Sequence, residues 1–318
     1  MALLASLSVR GGTSTHTREP VVTNNTHGCV AVVAHFTANA DRASAMLDDV
    51  RSVVPHDCQV SVYDKGPAPC SFMPSDRIGV CEALPNVGRE QHTFAHHIAT
   101  HYDDLPASLI LLPSDLTRHG RHALLEQMIG EQQRRPRFTC VTGDYRISTA
   151  PKGDAACALD RYASCTMQCY SNCHQPNASH RLVPSPASPQ GLAPWLAAHV
   201  ASIPLCMLPA CHFGIATATR ADLHTRPRSV YENVARQLSS ANLPETAFYG
   251  EWAMAAIFGG PSAWKRSTTA SCPVGDTVAG WPGYSVAGPA CRRVECEKVL
   301  MQLNPTWNKS ARAFVGGR

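Results

Sequence analysis

The stretch that decides the fold is LPNVGREQHTFAHHIATHYDDLPASLILLPSD, residues 84–115. Residues 85–89 predict a tight loop, because the proline disfavours helix before it and Gly88 lets the backbone approach a ligand closely. A helix is predicted from residue 90 onward, since apolar residues recur on one helical face at Phe94, Ala95, Ile98 and Tyr102. The run 109–112 is short, apolar and bounded by proline, which is typical of a strand buried on both faces.

Two polar side chains in this stretch indicate a ligand site. Arg89 lies near the N-terminus of the predicted helix, where N–H groups and the helix dipole favour an anion. Asp115 directly follows the buried strand, and ligands of open α/β sheets bind beyond the carboxyl ends of the strands. We therefore expect an anion-binding loop and a carboxylate to share one site.

The rest of the chain repeats the alternation of short apolar strands with amphipathic helices. Further strands are predicted at 29–35, 60–63, 79–83, 138–142 and 211–217. Further helices are predicted at 43–54, 120–135, 227–238 and 245–258. The alternation predicts an α/β fold of three layers with a mostly parallel sheet. The residues that should lie on neighbouring strands of this sheet are Val32, Val62, Leu111 and Ile215.

Composition divides the chain into parts. Residues 1–27 are Ser/Thr-rich and aperiodic, which predicts a flexible or processed leader. The α/β domain is predicted to cover 28–260, with an irregular insertion at 143–195 where Pro, Ser and Cys dominate. The Gly/Pro-rich residues 261–318 are predicted to form a wrapping tail.

Charge, hydropathy and missing motifs argue against several functional classes. The net charge of +4 is small and no Lys/Arg tract is present, so we expect no nucleic-acid partner. No apolar run approaches the roughly 20 residues of a membrane helix, so we expect no transmembrane segment. The sequence lacks G-x-S-x-G, H-E-x-x-H, Walker A and G-x-G-x-x-G motifs, which argues against α/β-hydrolases, zincins, P-loop enzymes and ordinary dinucleotide enzymes.

The cysteines favour an oxidising compartment. The chain has 14 Cys without a C-x-x-C pair, and sequons at Asn24, Asn177 and Asn308. We expect the secretory lumen or secretion, with a cytoplasmic location as the alternative, because residues 1–9 lack the basic and apolar regions of a signal peptide. In the insertion, cysteines four or eight residues apart could hold zinc with His174 or form disulfides. We expect disulfides among Cys140, Cys157, Cys165, Cys169 and Cys173.

Two carboxylates are candidates for chemistry. Asp115 could bind a divalent cation, with Ser114 or His119 as a further ligand, or it could cap the segment that follows it. Glu251 precedes Trp252 on a predicted helix. A carboxylate beside an aromatic side chain can have a raised pKa and act as a general base, and the alternative is a solvated helix face.

Several motifs occur in the same order as in a known family. They are VVAHF at 32–36, VYDKG at 62–66, LPNVGRE at 84–90 with the histidines that follow it, and the block 248–258 with Glu251 and Trp252. In these residues the chain resembles the uncharacterised family catalogued as domain of unknown function 3431, over about 30–120 and 205–260. The family name implies no activity.

More distantly, the layout is similar to the GT-A glycosyltransferase fold. In that fold an Asn-x-Gly loop opens a helix, a strand ends in an Asp-x-Asp metal motif, and a later helix supplies an acidic base. The resemblance implies transfer of a sugar from a nucleotide-sugar donor to a hydroxyl of a glycan or protein acceptor. It implies donor binding by Asn86, Gly88 and Arg89, a divalent cation (Mn²⁺ or Mg²⁺) at Asp115, and base catalysis by Glu251. His35 is a further candidate for donor binding, and His119 is a further candidate for the metal.

One departure from this pattern matters for function. Pro113 stands where the first acid of the metal motif is expected, so metal dependence and catalysis are both in question. The missing acid favours a catalytically inactive relative that binds a glycan or nucleotide. A further alternative is an interaction protein that uses its Cys-rich insertion as the binding surface.

Overall fold

A computed structural model describes residues 28–37, 40–67, 69–70, 78–117, 120–142, 147–148, 192–201, 208–242, 244–260 and 263. The predictions for the leader 1–27, for nearly all of the tail 261–318 and for most of the insertion 143–195 lie outside these residues. His119 also lies outside them, so its predicted role as a metal ligand stays a prediction.

Six strands form one sheet in the order β3-β2-β1-β4-β6-β5. The pairings β1–β2, β1–β4 and β2–β3 are parallel, and β6 runs antiparallel to both of its neighbours. The predicted α/β class with a mostly parallel sheet is therefore confirmed. The strands are β1 (Cys29–His35), β2 (Gln59–Asp64), β3 (Ile78–Ala83), β4 (Ser108–Pro113), β5 (Thr139–Thr142) and β6 (Cys211–Thr219).

The central strands are apolar throughout because helices cover both faces of the sheet. Alternate residues of a strand point to opposite faces, and those of β1 and β4 enter two separate hydrophobic clusters. One cluster contains residues of α1 (Ala40–Val53) and α3 (Arg121–Arg134). The other contains residues of α2 (Arg89–Thr100), α4 (Leu192–His199), α5 (Arg220–Leu223), α6 (Arg228–Leu238), α7 (Glu245–Trp252) and α8 (Met254–Phe258).

The helix predicted at 245–258 is two helices in the structure. Helix α7 ends at Trp252, and α8 begins at Met254 after a break at Ala253. All five residues of α8 are buried, so the apolar run 253–258 packs on several sides and has no single apolar face. Periodicity cannot locate a break inside such a uniformly apolar run.

Three disulfides join described residues: Cys29–Cys58, Cys70–Cys81 and Cys140–Cys211. The expected pairing of Cys140 with cysteines of the insertion is wrong. Strands β5 and β6 are neighbours, and their Cα atoms at Cys140 and Cys211 lie 5.7 Å apart, which is the ordinary span of a disulfide. The other cysteines of that prediction lie outside the described residues. Three disulfides are typical of proteins that fold in an oxidising compartment.

None of the helices in the described part of the chain is long and apolar enough to cross a membrane.

Candidate functional site

A cavity of about 650 Å³ opens where β1 and β4 end, at the carboxyl edge of the parallel strands. Four of the predicted site residues line it: His35, Asn86, Arg89 and Asp115. They reach the cavity from three separate segments, at the end of β1, at the start of α2 and directly after β4. The parallel arrangement explains this convergence, since the carboxyl ends of parallel strands meet at one edge of a sheet.

Gly88 packs against the end of α6. Its φ of 61° is left-handed, and a Cβ there would lie 2.5 Å from the carbonyl oxygen of Leu238 in α6. Its N–H donates to the carbonyl of Ala241 at 2.9 Å. The small residue therefore permits close packing of the loop against the end of α6, and this contact fixes the loop that carries Arg89.

The backbone of Arg89 is also left-handed, with φ of 52°. This conformation costs a residue with a side chain about 1–2 kcal/mol, so the surrounding contacts must hold it. Lys65 supplies two of them, since its ammonium donates to the carbonyls of Val87 at 2.7 Å and of Arg89 at 2.5 Å. Backbone strain that the surroundings maintain is concentrated at binding sites.

Lys65 lines the cavity and is a site residue that the sequence reasoning missed. It is only 6% exposed. Burial lowers its pKa to about 8, although the nearby Glu90 carboxylate opposes the shift. The signal available in the sequence is its position directly after β2, at the same sheet edge as His35 and Asp115.

Beside the cavity, Arg89 meets two carboxylates. Its Nε lies 3.5 Å from Oε2 of Glu90, and its Nη1 lies 3.7 Å from Oε2 of Glu251. The guanidinium also lies over the ring of Phe248, at 5.2 Å from the ring centre. The predicted base Glu251 is thus joined to the predicted anion-binding residue Arg89, from a position 162 residues later in the chain.

The side chains of Glu90 and Glu251 both lie against a bulge in β6. Phe213 and Gly214 are left-handed, with φ of 69° and 66°, where the pairing of β5 with β6 shifts register. The N–H of Phe213 donates to Oε1 of Glu251 at 2.7 Å. A Cβ on Gly214 would lie 2.7 Å from Cγ of Glu90, so only glycine leaves room for that side chain.

Burial and neighbouring charges set the pKa values of the two carboxylates in opposite directions. Burial raises the pKa of Glu251, and the negative charge of Glu90 adds to this, while Arg89 and Arg121 act against it. Burial also opposes ionisation of Glu90, but Arg89, Arg121 and Lys65 together hold its pKa below the ordinary value. The nearby cations therefore favour the charged form of Glu90, while burial and the charge of Glu90 favour the protonated form of Glu251.

Arg121 is a second site residue missed from the sequence. It is 8% exposed, and burial lowers its pKa while Glu90 and Glu251 raise it. Its guanidinium donates to the carbonyl of Asp115 at 2.9 Å. Arg121 is the first residue of α3, where a cation opposes the helix dipole and no acid stands in the first turn. A cation in this unfavourable position indicates that a carboxylate from another part of the chain lies near it.

Asp115 does not cap α3, because Gly120 occupies the N-cap position. Its Oδ1 accepts a hydrogen bond from the hydroxyl of Thr117 at 2.9 Å. Within the described ranges, no group of three or more His, Cys, Asp or Glu side chains is placed to hold a metal ion. Asp115 alone fits a cation that takes its other ligands from substrate phosphates and water, as Mg²⁺ often does.

His35 is buried at the base of the cavity. Its Nδ1 lies 2.9 Å from the hydroxyl of Ser114, which joins the ends of β1 and β4. Burial lowers the pKa of His35, although Asp64 opposes this, so the imidazole is neutral at pH 7. A neutral imidazole and a hydroxyl add polar but uncharged groups to a site whose cations are Arg42, Lys65 and Arg89.

No protein-family model, curated protein or solved structure matches this chain, and so the case for its function rests on the geometry of this cavity.

Proposed function

We propose that the protein binds a nucleotide sugar in the cavity at the carboxyl edge of the sheet and transfers its sugar to a hydroxyl of a glycan or protein acceptor. One observation carries the proposal: the described lining of the cavity contains three cations, Arg42, Lys65 and Arg89, against the two carboxylates Glu90 and Asp115. The excess positive charge favours an anion, and the volume admits one larger than a single phosphate.

The chemistry of such a transfer needs charge stabilisation at the leaving group. Arg89 and Lys65 would bind the departing diphosphate and stabilise the negative charge that develops on it. Lys65 also holds the carbonyls that shape the loop, so it positions Arg89 as well as the ligand. Asn86 and His35, which line the same cavity, would orient the donor.

Glu251 would accept the proton of the acceptor hydroxyl. Its raised pKa suits a general base at neutral pH, and its Oε1 is held by the N–H of Phe213 while Oε2 faces Arg89. A divalent cation, Mn²⁺ or Mg²⁺, bound by Asp115 and the diphosphate would supply further neutralisation of the leaving group.

A second candidate is a binding protein of the same architecture without catalysis. Two observations favour it: Pro113 lines the cavity at the position where a metal-binding acid is expected, and Glu251 is already engaged by Arg89. This candidate uses the same anion site, so turnover and not binding separates the two.

A thermal-shift screen of nucleotide sugars, with and without Mn²⁺, tests binding. A ligand that binds only the folded state stabilises it by RT ln(1 + [L]/Kd), so weak binding is visible at high ligand concentration. We expect a shift that depends on a diphosphate, and a metal-dependent part of that shift that is lost in Asp115→Ala. Stability unchanged by every nucleotide sugar would refute the proposal.

Turnover is then measured with the donors that bind. Glu251→Gln should leave donor binding in place and lower turnover by about 10²–10⁴-fold, the usual worth of a general base. Glu245→Gln is the matched control, since it makes the same change at the other end of α7, where Glu245 accepts from the Tyr249 hydroxyl. Donor binding without turnover in the wild type would favour the binding protein.

A further inference from the structure

The contact between Arg89 and Glu251 has a consequence for how the site responds to ligand. Both groups line or adjoin the anion cavity, and both have a proposed role there. In the ligand-free protein the two groups form an ion pair, because the guanidinium of Arg89 faces Oε2 of Glu251 as well as the cavity. An anionic ligand and Glu251 therefore compete for one guanidinium.

The geometry of the contact makes exchange feasible. The distances from Arg89 to Glu90 and Glu251 are 3.5 and 3.7 Å, whereas charge-assisted N–H···O bonds span about 2.7–2.9 Å. The Arg89 side chain is 31% exposed, and its guanidinium carbon lies over the Phe248 ring at 5.2 Å from the ring centre. Its attraction to the two carboxylates is thus electrostatic and loosely directed.

Hydrogen bonds hold the backbone at Arg89, whereas its side chain is partly exposed. Its carbonyl is held by Lys65, and the preceding glycine is bonded to Ala241. On the other side, Oε1 of Glu251 is held by the N–H of Phe213, which keeps the carboxylate in place when the cation leaves. The groups that then remain around Glu251 are Glu90 from α2 and Arg121 from α3.

We infer that the Arg89–Glu251 ion pair is a latch: an anionic ligand must take the Arg89 guanidinium from Glu251, and Glu251 becomes available as a base only when it does. This inference rests on the proposed function for the role of Glu251. Burial and Glu90 raise the pKa of Glu251 and Arg89 lowers it, so departure of Arg89 makes the carboxylate more basic. Binding of the donor would thereby make Glu251 a stronger base for the acceptor hydroxyl.

Calorimetric titration with inorganic pyrophosphate at pH 7 tests the latch. We expect Glu251→Gln to bind pyrophosphate about 5- to 20-fold more tightly than the wild type, within the ordinary range of coupling between sites. The amide is nearly isosteric and its oxygen can still accept from Phe213, so the fold should persist. Glu245→Gln, which removes the same charge six residues earlier on α7, should change the affinity less than twofold, because about 9 Å of helix separates the two positions and salt screens charges over about 10 Å.

A second background identifies the cation involved. In Arg89→Met the gain from Glu251→Gln should disappear, because no guanidinium is left to compete for. A gain that persists there would mean a general relief of negative charge and would overturn the latch. An affinity of Glu251→Gln equal to or weaker than that of the wild type would overturn it as well.

The two proposals fail in different ways. Pyrophosphate that binds neither the wild type nor Glu251→Gln would overturn the anion site and the latch together. Alternatively, Glu251→Gln binds pyrophosphate more tightly, but the protein turns over no nucleotide sugar. This result would refute the glycosyltransferase function and still support competition between the anion and Glu251 for Arg89.

Discussion

Gly88→Ala tests the contact that fixes the site loop. The added Cβ would lie 2.5 Å from the Leu238 carbonyl oxygen and 2.7 Å from Cβ of His92, while the residue would keep its φ of 61°. The left-handed backbone costs about 1–2 kcal/mol with a side chain. Overpacking against rigid backbone adds about 1–3 kcal/mol. We therefore expect a loss of about 2–5 kcal/mol in the free energy of unfolding, the sum of the two terms.

Gly120→Ala separates the two terms. Gly120 is also left-handed, with φ of 64°, but none of the described atoms lies within 4 Å of its ideal Cβ position. It should lose only the backbone term, about 1–2 kcal/mol. Gly130→Ala, in the interior of α3 and equally open, should instead gain about 0.5–1 kcal/mol because alanine favours helix.

Urea unfolding with the disulfides intact measures all three variants against the wild type. The order of stability should be Gly130→Ala, wild type, Gly120→Ala and Gly88→Ala. If Gly88→Ala cost no more than Gly120→Ala, the close approach of the loop to α6 would be wrong. The account of how Arg89 is positioned would then fail with it.

Three further predictions concern pH and cross-links. Burial, with Lys65 and His96, lowers the pKa of His92 to about 3. The stability that its neutral form contributes is complete above pH 6.5 and is lost as the pH falls towards 3. Between pH 7 and 4.5 the free energy of unfolding, measured with urea, should therefore fall by about 2–3 kcal/mol less in His92→Gln than in the wild type. Affinity for sulfate, whose charge is constant over the range, should fall as the pH rises through about 8, where Lys65 loses its proton, and calorimetry should find no such fall in Lys65→Met. On the chain-entropy account, replacing Cys140 and Cys211 by Ala should cost about 4 kcal/mol of unfolding free energy, against about 3 kcal/mol for the Cys70–Cys81 pair, because the sequence separations are 71 and 11.

Much of the scaffold could be predicted from local patterns. Strands β1, β2 and β4 are short apolar runs, and the apolar residues of α2 and α3 recur at helical spacing, so their burial follows from periodicity. The mostly parallel sheet then follows from the alternation of strands and helices. The shared location of His35, Asn86, Arg89 and Asp115 is a consequence of that topology, since all four lie at one sheet edge.

The parts of the site that sequence reasoning missed depend on unfavourable local placements. Lys65 is a buried cation at the end of an apolar strand, and Arg121 is a cation at a helix N-terminus. Each costs free energy by itself and is stabilised by groups from other elements: carbonyls of the loop before α2 for Lys65, and Glu90 with Glu251 for Arg121. Local propensity has no information about such compensation.

The sequence by itself determined the strands, most of the helices and the edge of the sheet where polar residues collect, because these depend on neighbours within a few positions. Only the tertiary structure decided the partners: Glu251 with Arg89, Glu90 with the bulge at Gly214, and Cys140 with Cys211. Each of these pairs joins residues 71 to 162 positions apart. At that separation the pairing is set by strand order, the β6 bulge and the packing of α2 against α7, none of which leaves a periodic signal in the chain.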